Sequence, residues 1–134
     1  MRRMPVKHLV AGDFAGRALV SAHPLSFFGD IDVRSGRVVT HVSDLLGRSV
    51  AGWVLCLPFT HGSAGAWRVL QQLRTHGTAP LALVVRDLPD PSVVQGAILA
   101  ELPTVRLLDP DDFAHLADGV HLGVDKATGL LELS

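Results

Sequence analysis

Val54-Leu55-Cys56-Leu57-Pro58-Phe59-Thr60-His61-Gly62-Ser63-Ala64-Gly65 is the stretch on which the fold turns. Residues 49–57 are apolar almost throughout, as expected of a central strand buried on both faces. The strand runs into a Gly/Ser loop, and the loop opens on a helical pattern. Ala66, Val69, Leu70 and Leu73 recur at three- and four-residue steps, while Arg68, Gln71, Gln72 and Arg74 fall mainly on another face. A strand-to-helix junction of this kind presents unpaired backbone N–H groups and the positive end of a helix dipole. Here they would surround one hydroxyl, Ser63, which is the first candidate for an active-site residue. The bland alternative is that Ser63 is the N-cap of its own helix, bonding the amide of Gly65 or Ala66, a role worth about 1 kcal/mol.

Working outward, residues 7–10 and 17–21 read as short strands around Ala11-Gly12-Asp13, and 37–41 as a strand after the turn Asp32-Val33-Arg34-Ser35-Gly36. The segment 23–30, with Phe27 and Phe28, reads as an aromatic loop suited to core or interface packing. The first helix, 63–75, stops at Gly77 with Arg74 and His76 at its negative end. A strand at 81–86, a helix at 92–101 after Pro89-Asp90-Pro91, a strand at 104–108 and a third helix from Asp109 through His115 and Leu116 follow. Residues 120–124 and 130–133 close as a hairpin. Strands crowd the first half and alternate with helices in the middle. The expected class is α+β, layered sheets with flanking helices, in a single domain spanning 1–134.

Composition removes several functions. Twelve Lys and Arg stand against thirteen Asp and Glu, so no basic field exists for nucleic acid or an anionic membrane. No run approaches the roughly 20 apolar residues of a membrane span, and Met1-Arg2-Arg3 is not followed by the apolar core of a secretory signal. A cytoplasmic location is expected. One cysteine, Cys56, cannot anchor an iron–sulfur cluster, which takes about four thiolates; in an apolar strand it reads as a small buried hydrophobe. The seven histidines show neither an i, i+4 pair nor a neighbouring cysteine set, so no metal site is expected within this chain. Nucleotide-binding glycine spacings are absent, and Asp109, Asp111 and Asp112 are explained as charges at a helix start.

Gly12-x3-Gly16 with Ala18-Leu19-Val20, Pro24-Leu25-Ser26-Phe27-Phe28-Gly29, Gly36, Gly47-x-Ser49-Val50-Ala51-Gly52, Gly62-Ser63, Gly77-Thr78-Ala79-Pro80 and Gly96-Ala97-Ile98 follow in an order that resembles the aconitase X swivel domain. The resemblance covers nearly the whole chain. It implies a swivelling β/β/α domain that serves as the small subunit of an iron-dependent hydro-lyase, beside a large catalytic subunit whose cysteines hold an iron or iron–sulfur centre. This chain would hold no cofactor itself. The substrate implied is a small hydroxy acid, as in dehydratases of cis-3-hydroxy-L-proline or mevalonate 5-phosphate. Such a reaction removes a proton beside a carboxylate while hydroxide departs, with iron as Lewis acid and a positioned base. The resemblance carries the base role onto Ser63, activated by a site that stabilises its alkoxide. His61, Gly62 and Ser26 become candidate substrate contacts.

The chain departs from that family pattern at the site. His61 stands where an arginine is usual, exchanging an always-charged bidentate fork for an imidazole with an ordinary pKa of about 6.5. Phe28 and Asp30 replace the usual Trp and Gly. A carboxylate at Asp30 would repel a phosphate ester more than a substrate that bears an amine. Two alternatives stand beside the dehydratase reading. Thr60-His61-Gly62-Ser63 could imitate the phosphohistidine loop of a phospho-carrier swivel domain, though that loop puts Thr-Ser before its histidine. Or the chain is a degenerate swivel domain kept for assembly or regulation.

Overall fold

Alternate residues of the same strands face two different cores, and this organises the molecule. The computed structural model describes residues 1–60 and 64–134, and of Phe28 only the backbone. Its strands are β1 (Arg2–Val10), β2 (Phe14–Val20), β3 (Val54–Leu57), β4 (Ala82–Val85), β5 (Thr104–Leu107), β6 (His121–Val124) and β7 (Leu130–Leu133). Its helices are α1 (Phe27–Asp30), α2 (Ala66–His76) and α3 (Pro91–Leu99), with a 3-10 helix at Pro110–His115. On β3 and β4, Val54, Cys56, Ala82 and Val84 join Met4, Val6, Val105, Leu107, Leu122 and Leu131 in one core. Leu55, Leu57, Leu83 and Val85 join Leu70, Leu73, Val93 and Ala97 of α2 and α3 in the other. Burial of both parities is why these segments read as unbroken apolar runs.

Strands β2, β3, β4 and β5 are parallel neighbours, with Ala18 opposite Val54, Val54 opposite Ala82 and Val85 opposite Arg106. The remaining pairings are antiparallel: β1 with β5 and β7, β6 with β2 and β7. The fold is thus α+β, a mixed sheet with helices. The layered arrangement expected from the sequence is met only in that coarse sense, because hydrogen bonds join the strands in the closed order β1-β5-β4-β3-β2-β6-β7. The long strands make closure possible. Arg2–Pro5 of β1 pairs with β7 and the rest with β5, while the first half of β2 pairs with β6 and the second with β3.

Local differences from the sequence reading have local causes. The run 49–57 contributes only Val54–Leu57 as strand, because Gly52 takes φ +75 in a turn that breaks it. In place of a strand at 37–41 there are isolated bridges, Arg37 to Ser49 and Ile31 to Val38. The aromatic segment holds the short α1. The final helix is 3-10, and Asp109 caps it by accepting the Asp111 N–H at 3.0 Å. Gly77 ends α2 as expected, left-handed at φ 71. No helix among the described residues is long and apolar enough to cross a membrane.

Candidate functional site

Parallel strands point their carboxyl ends the same way, and in open α/β sheets ligands sit outside that edge. Here the edge is formed by the ends of β2, β3 and β4, and the segments leaving them are laced together. The Ser21 N–H donates to the Cys56 carbonyl at 3.0 Å, the Arg86 N–H to Leu57 at 3.0 Å and the Asp87 N–H to Pro58 at 3.1 Å. Beyond the strands, Leu25 forms a parallel bridge with Thr60. Ser26, one residue on, therefore lies beside the strand-to-helix junction, a juxtaposition across 35 residues of sequence.

Ser26 occupies the N-cap position of α1 without a side-chain cap bond, and its N–H donates to Asp30 Oδ2 at 2.8 Å. Asp30 is thereby close to Ser26, and its carboxylate is engaged by backbone. On the other flank, the Thr60 hydroxyl donates to Asp90 Oδ2 at 2.8 Å and accepts the Asp90 N–H at 3.3 Å. Asp90 sits at the N-cap of α3 yet makes no side-chain cap bond there. Ser92, in the first turn of α3, donates to the Ala64 carbonyl at 3.2 Å and accepts the Trp67 N–H at 3.2 Å. Thr60 and Ala64, the residues on either side of the His61-Gly62-Ser63 segment, are both held by the start of α3.

His61, Gly62 and Ser63 themselves lie outside the described residues. The described cap position of α2 is Gly65, at φ −90 and ψ −1, two residues past Ser63. The described helix thus begins at Ala66, the first residue of its apolar periodicity, where a helix over 63–75 was expected.

Electrostatics at the edge centre on β4. Arg86 donates from Nε and an Nη to the two carboxylate oxygens of Asp87, each at 3.0 Å. These bonds hold the Asp87 carboxyl below the ordinary aspartate value and raise the Arg86 guanidinium. Cys56 lies fully buried in the barrel core, and burial pushes its thiol far up, so it is a packing residue and no nucleophile. Among the described residues no three His, Cys, Asp or Glu side chains converge as ligands for a metal ion, so those residues do not fit an iron centre.

Sequence reasoning named Ser26 and the loop as candidates but not Thr60, Asp90 and Ser92, which hold the residues flanking that loop. Asp90-Pro91 carries a cap signature, and nothing local says that its carboxylate serves a threonine 30 positions away.

Comparison with known proteins gives consistent results. The family model of the aconitase X swivel domain matches residues 3–133. The phosphomevalonate dehydratase small subunit of Thermococcus onnurineus is 36% identical over 127 residues, 95% of this chain and 95% of the relative. That of Methanothrix thermoacetophila is 39% identical over 119 residues, 88% of this chain and 85% of the relative. The crystal structure of Thermococcus kodakaraensis aconitase X in its holo-form superposes with a TM-score of 0.91 at 32% identity, covering 100% of this chain and 99% of that one.

Proposed function

Because this chain belongs to the aconitase X swivel domain family, we propose that it is the small subunit of an iron-dependent hydro-lyase that dehydrates a small hydroxy acid. It contributes Ser63 as the base to an active site shared with a large subunit, and the iron centre belongs to that subunit. The observation that carries the reading is the near end-to-end match to small subunits of a dehydratase. The laced carboxyl edge supports the site assignment, since its bonds anchor both sides of the Ser63 segment.

In this reading Ser63 takes the proton next to the substrate carboxylate. A serine does so only where its alkoxide is stabilised, and the positive end of α2 beyond Gly65 supplies part of that field. Ser26 and His61 orient the substrate by hydrogen bonds, with His61 in place of the family's usual arginine. Asp30, occupied by the Ser26 N–H, is a weaker objection to an anionic substrate than its sequence position suggested. The relatives' activity makes mevalonate 5-phosphate the first substrate to assay, and cis-3-hydroxy-L-proline the second.

The test is co-expression with the cognate large subunit. The purified chain alone dehydrates nothing, and the complex turns over. Ser63→Ala lowers turnover of the complex by about 100-fold or more while leaving its stability nearly unchanged. Equal loss of turnover and complex stability would show a structural serine, and turnover by the metal-free isolated chain would overturn the whole reading. Acid-labile phosphate on His61 after incubation with phosphoenolpyruvate would replace it with the phospho-carrier.

A further inference from the structure

An apolar groove of about 450 Å³ runs along the outside of α3, from Leu88 and Pro89 past Val94 to Ile98 and Leu99, with Gln95 its only polar lining side chain. Leu88, Ile98 and Leu99 are 64%, 59% and 50% exposed. Half-exposed leucines and isoleucines gathered in one groove mark a surface that is covered in the working assembly. The groove starts between Asp87 and Asp90, and Asp90 holds Thr60 at the rim of the candidate site.

Beside that end lies an unbalanced group of cations. Lys7 of β1 and Arg106 of β5 are direct cross-strand partners, an arrangement in which like charges repel. Val85, next to Arg86, is the partner of Arg106 on the other side. Asp87 is near enough to feel Arg106, but both its carboxylate oxygens are taken by Arg86. Lys7 and Arg106 make no ion pair among the described residues, and Arg106 Nε is buried without a hydrogen bond.

We propose that the large subunit docks on this groove through a segment with an aliphatic ridge for α3 and carboxylates for Lys7 and Arg106. The proposal rests on the small-subunit reading above and adds the surface and the chemistry of its partner. Charge decides the occupant. An acidic flank relieves the Lys7–Arg106 repulsion, whereas a second copy of this chain would bring a further set of the same cations to the contact. A partner seated here abuts the carboxyl edge, where a shared active site needs it.

The test uses the full chain co-expressed with its tagged large subunit, with retention read by affinity capture over a salt series. The double variant Ile98→Asp/Leu99→Asp changes only exposed side chains, so the free chain stays folded with a melting temperature lowered by only a few degrees by carboxylates in the last turn of α3, and it binds about 100-fold more weakly or worse. Lys7→Glu binds more weakly than wild type at low salt and flattens the salt dependence. Leu130→Asp, an exposed position on β7, is the matched control and binds as wild type. Undiminished binding by the double variant, with the wild-type complex active, would overturn the docking surface and leave the small-subunit reading standing. No binding by wild type would sink both. Dimerisation of the free chain that the double variant abolishes would assign the groove to a second copy and overturn the proposal.

Discussion

Removing the Thr60 hydroxyl tests whether the candidate site is held as the structure indicates. Thr60 is 8% exposed, and valine fills its space, so Thr60→Val deletes two hydrogen bonds and little packing. The bond to the Asp90 carboxylate is charge-assisted, worth about 1.5–3 kcal/mol, and the longer one from the Asp90 N–H adds about 0.5 kcal/mol. Against this, the freed carboxylate can turn to cap α3, recovering up to about 1 kcal/mol. The net loss is about 1.5 kcal/mol, a fall in Tm of roughly 5 °C for a chain of this length. Urea denaturation of wild type, Thr60→Val, Asp90→Asn and the double variant completes a cycle, whose expected coupling is about 1 kcal/mol or more. Thr60→Ser, which keeps the hydroxyl, loses less than half as much. On the proposed reading of Ser63 as the base, Thr60→Val also lowers turnover of the assembled complex more than tenfold, since Ser63 lies three residues beyond the lost anchor and small misplacements of a base are costly. A loss under about 0.5 kcal/mol with strictly additive single effects would refute the anchoring role.

Two other outcomes follow from single residues. Glu101 has φ 53 just past the end of α3, where glycine is at ease; Glu101→Gly should relieve about 1 kcal/mol of left-handed strain and forfeit only the exposed 3.9 Å pair with Arg74. A Tm rise of about 2 °C is expected, and a fall would show that the pair outweighs the strain. The Arg86–Asp87 pair sets a pH dependence. Because the folded carboxyl titrates below its ordinary 3.8, its contribution is complete above that value and fades as pH falls through the lower folded one. The stability difference between wild type and Asp87→Asn is therefore flat above about pH 5 and shrinks toward pH 2; a difference that grows on acidification would contradict the assignment.

What the sequence made legible was local. Residues 54–57 and 82–85 are apolar at every position because both parities are buried, and their shortness between turn residues separates them from a buried helix. The hairpin of β6 and β7 and the stop at Gly77 were equally plain. Strands β1 and β2 were only half visible, since Pro5, Arg2 and Arg3 break the pattern of one and Gly16 that of the other. These halves are nonetheless strand because β7 and β6 supply partners. Val50 and Trp53 misled for the opposite reason: they are apolar because they pack against the helix-side core, while Gly52 between them turns the chain. At the candidate site, the passage from β3 to α2 was legible, while His61, Gly62 and Ser63 lie outside the described residues. The Leu25–Thr60 bridge and the Thr60–Asp90 bond join segments 30 or more residues apart and leave no trace in either one.

The pairing of Arg2 with Leu133 means that β1 must wait for β7, more than 100 residues further along, before its register can be completed. Loop closure over so long a separation is slow, and meanwhile the N-terminal edge is open to wrong neighbours. The closed circuit therefore forms only once β7 is in place. Deleting Arg2–Pro5 from β1 or Leu130–Leu133 from β7 unfastens both strands at once.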